Sequence, residues 1–185
     1  MKTLLAILIL TLLIGFLVGC TPGNEDKHAS YTIGDIGPGG GMVFYDKGRY
    51  VKGWRYLEVS ASDVGKASWG CMAQSIRRAK GVDVGSGKSN TDAILRACDE
   101  ERTAARLCAE YLGGGKDDWY LPSKEELYLI RMNLHTKGIG EFDDGFYWSS
   151  SEINNIRAWN LFFISGNWSN VLKISSERVR AVRAF

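Results

Sequence analysis

Few residues in this chain have the type and spacing to do chemistry. The most suggestive run is Gly85-Ser86-Gly87-Lys88-Ser89, which ends like a phosphate-binding loop. Such a loop needs a glycine with four residues between it and the Gly-Lys-Ser, so that its backbone N–H groups can curl around a phosphate. Val82 occupies that place, and no apolar strand leads in. The run therefore reads as a surface turn, and no nucleotide or other cofactor is expected. Cys71, Cys98 and Cys108 lack the short spacing of a zinc site, and His135 is remote from all three. Cys71 and His135 would make a nucleophile–base pair only if folding happened to join them. Asp117-Asp118 and Asp143-Asp144 are acidic enough for calcium but read as solvated loop charge. No metal site is expected.

The clearest chemistry is a modification. Lys2 precedes an apolar run, Leu4 to Val18, broken only by Thr11 and Gly15. As a helix that run would span roughly 22 Å, short of the ~30 Å hydrocarbon core, so it reads as a signal peptide. It ends Leu17-Val18-Gly19-Cys20, which resembles the bacterial lipobox. That resemblance implies cleavage after residue 19 and diacylglyceryl attachment to the Cys20 thiol, with acylation such as palmitate at the new N-terminus. Thr21 follows, not Asp, so the inner-membrane retention signal is missing and an outer-membrane or cell-surface location is expected. Residues 20–30 are polar and read as a tether, with His28 solvated within it. Residues 31–185 remain as one domain.

Composition narrows the field. Hydrophobic residues make up 45% and charged residues 24%, which indicates a globular chain. The formal net charge of +2 offers no broad field to attract nucleic acid. The 22 glycines against 3 prolines predict many tight turns.

The elements that must position any site follow from local pattern. Met42–Tyr45 and Trp54–Val59 read as strands, and 62–88 as loop. Asn90 or Thr91 can cap a helix carrying Ile94, Leu95 and Cys98. A second helix carries Ala104, Leu107, Cys108 and Tyr111, and Gly113-Gly114-Gly115 stops it. Ser123-Lys124-Glu125-Glu126 is a capping box opening a third. Strands are expected at 146–149, 158–164, 170–174 and 178–185, with a hairpin turn at Ser165-Gly166-Asn167. Strands, then helices, then an antiparallel run make an α+β domain.

Four stretches together resemble a known family. They are Ile33-Gly34-Asp35-Ile36-Gly37-Pro38-Gly39-Gly40-Gly41-Met42-Val43-Phe44-Tyr45, Asp118-Trp119-Tyr120-Leu121-Pro122-Ser123-Lys124-Glu125-Glu126-Leu127, Tyr147-Trp148-Ser149-Ser150-Ser151-Glu152 and Arg178-Val179-Arg180-Ala181-Val182-Arg183. In this order they are similar to the Lcl C-terminal domain family, over about Tyr31 to Phe185. The resemblance implies a C-type-lectin-like fold: a twisted, mostly antiparallel sheet with flanking helices and long loops. It implies an exported binding or adhesion protein, with a name-giving member similar to an adhesin for sulfated glycans, and it carries no enzymatic activity. Two alternatives stay open, a structural envelope protein that binds other proteins and an enzyme acting on envelope glycans.

The expected ligand surface is the final β segment: Asn154, Asn155, Arg157, Trp168, Asn170 and Lys173. Glu152 to Arg157 is polar between apolar strands and reads as an exposed loop. Trp168 beside short amides offers a sugar a stacking plate and directional hydrogen bonds, and Arg157 and Lys173 offer charge. In the resembled family and its relatives, ligand contacts also come from this region. Trp119, Trp148 and Phe163 are expected in the core, and the arginines at 178, 180 and 183 in paired structural roles. Three cysteines follow the anchor, so at most one disulfide closes within the chain. Of three pairings, Cys98–Cys108 is expected, because the two bracket a short turn between helices.

Overall fold

The computed structural model describes residues 29–185. The leader, the lipobox with Cys20 and the tether through His28 lie outside the described residues. The architecture is α+β. β1 (Met42–Val51), β2 (Trp54–Val59) and β8 (Val182–Ala184) form an antiparallel sheet in the order β1-β2-β8. β3 (Gly65–Ala67), β7 (Glu177–Val179), β4 (Phe146–Glu152), β5 (Arg157–Phe162) and β6 (Trp168–Leu172) form a second, in that order. Its pairs are antiparallel except β4 with β7. Three α-helices, α1 (Gly87–Ala97), α2 (Ala104–Ala109) and α3 (Lys124–Asn133), come between β3 and β4.

Two apolar clusters hold these layers. Trp69, Trp119, Trp148, Ile94 and Cys108 form one, with α1 and α2. Phe44, Leu57, Leu127, Ile130, Tyr147 and Phe163 form the other, where α3 meets both sheets. Trp119, Trp148 and Phe163 are buried, as their motifs predict. The capping box forms: Ser123 Oγ accepts from Glu126 N, and Glu126 returns a carboxylate oxygen to Ser123 N. The hairpin turn also forms, with Gly166 at φ +76°.

Three local expectations are corrected. Helix α1 starts at Gly87, not at Asn90 or Thr91. Both side chains are buried and bonded across the fold, Asn90 to Gly81 and Ser150, Thr91 to the Leu121 backbone. The segment 178–185 is not one strand. β7 ends at Val179 and β8 begins at Val182 in the other sheet, so the chain changes sheets at Arg180-Ala181. At the crossing the buried Arg180 donates to Asp63 Oδ1 at 2.7 Å and to the Ser60 carbonyl at 2.6 Å. Third, the disulfide is Cys71–Cys98, with Cα atoms 5.7 Å apart. Cys108 lies on the inner face of α2, wholly buried, with its thiol against the Arg180 carbonyl. Cys98 caps α1 in an extended conformation and meets Cys71. Burial pushes the Cys108 thiol pKa well up, so that group is inert.

Most of the residues that carry the family resemblance turn out to be structural. Glu58, fully buried, accepts backbone N–H bonds from Gly39 and Gly41 and a guanidinium bond from Arg183. Burial raises its pKa, against those donors. A Cβ on Gly37 or Gly39 would fall within 2.6–2.8 Å of the Glu58 carboxylate, so the glycine run is what lets the loop close on it. Arg183 also reaches Asp118.

Candidate functional site: an aromatic face on the second sheet

Strand register decides which of the expected ligand residues share a surface. Trp159 lies opposite Asn170, Leu161 opposite Trp168, and Arg157 opposite Leu172. Directly opposed residues point to the same face, as do alternate residues along a strand. Arg157, Trp159, Trp168 and Asn170 therefore stand on one face of β5 and β6. Helix α3 packs beside them: Tyr128 lies 6.4 Å from the Trp168 ring, centroid to centroid. Lys124 sets its ammonium 4.5 Å from the Trp159 ring centroid and 4.8 Å from that of Trp168. The two indoles meet edge to face at 6.2 Å. Both are partly exposed. The result is a pair of aromatic plates with one cation between them.

Arg157 extends this face, donating to the Asn170 carbonyl at 2.9 Å. The structure thus brings together Arg157, Trp168 and Asn170 and adds Trp159, Tyr128 and Lys124, which local sequence pattern does not place there. Trp159 was legible only through the register, because Asn160 and Leu161 after it read as an ordinary strand.

The remaining expectations are corrected. Lys173 is fully buried. Its ammonium bonds Glu152 Oε1 at 2.7 Å and the Gln74 carbonyl at 2.8 Å, and lies 4.4 Å from the Trp69 ring centroid. Burial lowers its pKa, and the Glu152 carboxylate beside it pulls the value back up. Glu152 is buried as well, so the exposed loop begins only after it. Asn154 is a turn residue: its Oδ1 accepts from the backbone N–H of Ile156 and Arg157. Asn155 is exposed and bonds the Ala73 carbonyl at 3.5 Å, away from the indoles.

Other groups singled out by type are already engaged. Cys71 is oxidised and offers no thiolate to His135, whose ring bonds Asp144 at 3.2 Å. Cys71, Cys98 and Glu100 converge, but a disulfide is a poor ligand set. Asp118 pairs with Arg183, and Asp143 with Arg178. Gly85 to Ser89 leads into α1; a Cβ on Gly87 would collide with Glu126 and Tyr120, so Gly87 is packed against protein, while Lys88 is exposed and pairs with Asp92. Among the described residues no helix is long and apolar enough to cross a membrane.

No protein-family model matches the chain, and no curated protein does. Among solved structures it is similar to a fimbrial protein from Bacteroides ovatus, with a TM-score of 0.53 and 16% identity. The match covers 71% of this chain and 36% of the other, so this chain spans about a third of its neighbour's length. What the two share is a fold.

Proposed function

We propose that this chain is a lipid-anchored envelope protein whose domain binds carbohydrate without acting as an enzyme. The observation that carries the reading is the pair of partly exposed indoles, Trp159 and Trp168, flanked by Lys124, Arg157 and Asn170. Aromatic faces stack on the C–H faces of sugar rings, and amides and cations beside them bond hydroxyl or acidic substituents. The resemblance to the Lcl C-terminal domain family, with its C-type-lectin-like fold, supports a non-enzymatic adhesion role. The fimbrial name of the fold neighbour is in keeping with a surface protein.

The test is a glycan array probed with the full-length chain in detergent. The wild type is expected to retain at least one saccharide class. Trp159→Ala with Trp168→Ala is expected to weaken that binding about tenfold or more, with the far-ultraviolet dichroism unchanged. Equal binding by the double variant would move the site elsewhere. Capture of proteins and no saccharide would favour the structural alternative.

The anchor has its own test. Cys20→Ala is expected to accumulate as an unprocessed precursor without lipid label. Normal processing and labelling of that variant would remove the anchor from the proposal.

A further inference from the structure

A second concave site lies between the segment after Cys71 and the C-terminal half of α1. Its volume is about 330 Å³. Arg77, Arg78 and Arg96 line it, over a floor that includes Ile76, Ala93 and Ala97, and no acidic side chain does. Several other arginines find acceptors within the protein, such as Arg55 on Asp46, Arg131 on the Phe163 carbonyl and Arg180 on Asp63, whereas the three here are exposed. None of the three around this cavity has a hydrogen-bond or ion-pair partner among the described residues. Three acids on the flanking segments are engaged. Glu152 faces Lys173, Glu100 accepts from Cys71 N, and Asp92 pairs with Lys88.

We propose that this cavity is an oxyanion site, built for a sulfate- or phosphate-type group. Three guanidiniums supply forked N–H donors that match the paired oxygens of such groups, and their charge exceeds what a single carboxylate would neutralise.

The scaffold beneath the arginines supports this. Residues 71–79 have no regular secondary structure, and Cys71 and Ala73 sit at positive φ, +47° and +69°. Yet the segment is fastened at many points. Cys71 is bridged to Cys98 at the end of α1. Gln74 donates to the Ala97 carbonyl at 2.9 Å, and its own carbonyl accepts from Lys173. Glu152 accepts from Ile76 N at 2.7 Å and Ser75 Oγ at 3.3 Å, while its backbone N–H bonds the Ala79 carbonyl. The buried Glu152–Lys173 pair thus fixes the loop that presents Arg77 and Arg78, and the disulfide ties that loop to the helix that presents Arg96. Such pre-ordering lowers the cost of gathering three cations around one ligand.

This inference is independent of the aromatic face. The full-length chain in detergent is titrated calorimetrically with inorganic phosphate, inorganic sulfate, glucose 6-phosphate and glucose 6-sulfate, at matched sodium chloride. Saturable binding is expected. Arg77→Gln with Arg96→Gln is expected to weaken it about tenfold or more. Cys71→Ser with Cys98→Ser, which keeps all three charges, is expected to weaken it several-fold, and the Trp159/Trp168 variant to leave it unchanged. If the esters bind more tightly than the free ions, the site takes a group borne on a saccharide; if the free ions bind as tightly, it takes the ion itself. Either supports an oxyanion site. No saturable binding, or equal binding by the Arg77/Arg96 variant, overturns it.

Discussion

Lys173→Met is expected to destabilise the protein by about 3–5 kcal/mol, the usual cost of leaving one partner of a buried ion pair alone. Lys173 and Glu152 are both buried, 2.7 Å apart. Methionine keeps the length and the packing on Trp69 but removes the cation, so a carboxylate remains where water cannot reach it. Glu152→Gln with Lys173→Met should recover most of the loss, because an amide oxygen still accepts from Ile76 N and no net charge is buried. Urea unfolding of the wild type, both single variants and the double checks this. The expected signature is a double variant within about 1 kcal/mol of wild type, far from the sum of the singles. A Lys173→Met variant as stable as wild type would show that the pair is not what holds the 71–79 loop.

The same pair shows where sequence reading stops. Glu152 and Lys173 are 21 residues apart, and charged residues are mostly exposed, so each read as surface. Only the packing of β4 beneath the irregular 71–79 segment turns both inward. Asn90 and Thr91 mislead in a similar way. Both are good helix caps by type, yet their side chains serve long-range bonds, and α1 begins earlier at a glycine packed on Glu126. Legible features were local: the Ser123–Glu126 box, the Gly166 turn, the buried Trp119 and Trp148. The disulfide was not, because Cys98 and Cys108 are near in sequence but face different surroundings, and Cys71 reaches Cys98 only through the fold.

Within the candidate sites, the residues that carry the family resemblance and those suited to ligands largely separate. The glycine run, Asp118, Glu152 and the last arginines are engaged in the ion pairs and backbone bonds that hold the sheets together. Trp159, Trp168, Arg77, Arg78 and Arg96 lie outside the quoted stretches, on faces that the scaffold presents. A scaffold with fixed internal charges and adaptable surface positions can serve many ligands, so a specific ligand must be argued from these outer residues and not from the fold.

Glu126 should give the protein a pH dependence of the opposite sign to ordinary acid unfolding. Its carboxylate accepts from Ser123 N and Gly85 N, each at 2.7 Å, and joins the turn before α1 to the start of α3. Burial raises its pKa from 4.5 to about 7, against the backbone N–H groups of Ser123, Gly85 and Gly87, which favour the charged form. The folded state then holds a proton that the unfolded chain releases near 4.5. Between these values the unfolded state binds fewer protons, so this group's contribution to stability falls as pH rises and levels off above about 7. A shift of this size corresponds to roughly 3 kcal/mol. Glu126→Gln removes the titration. It also places an amide N–H near backbone donors, so its absolute stability is expected to be lower, and the measurement reads the slope and not the level. Unfolding free energies of wild type and variant across pH 4.5 to above 7 are compared by subtraction, which cancels Glu58 and Glu177, both also raised by burial. The wild-type-minus-variant difference is expected to decline by roughly 3 kcal/mol over that window. Parallel curves for the two proteins would mean that Glu126 is ionised throughout, with its backbone donors outweighing its burial.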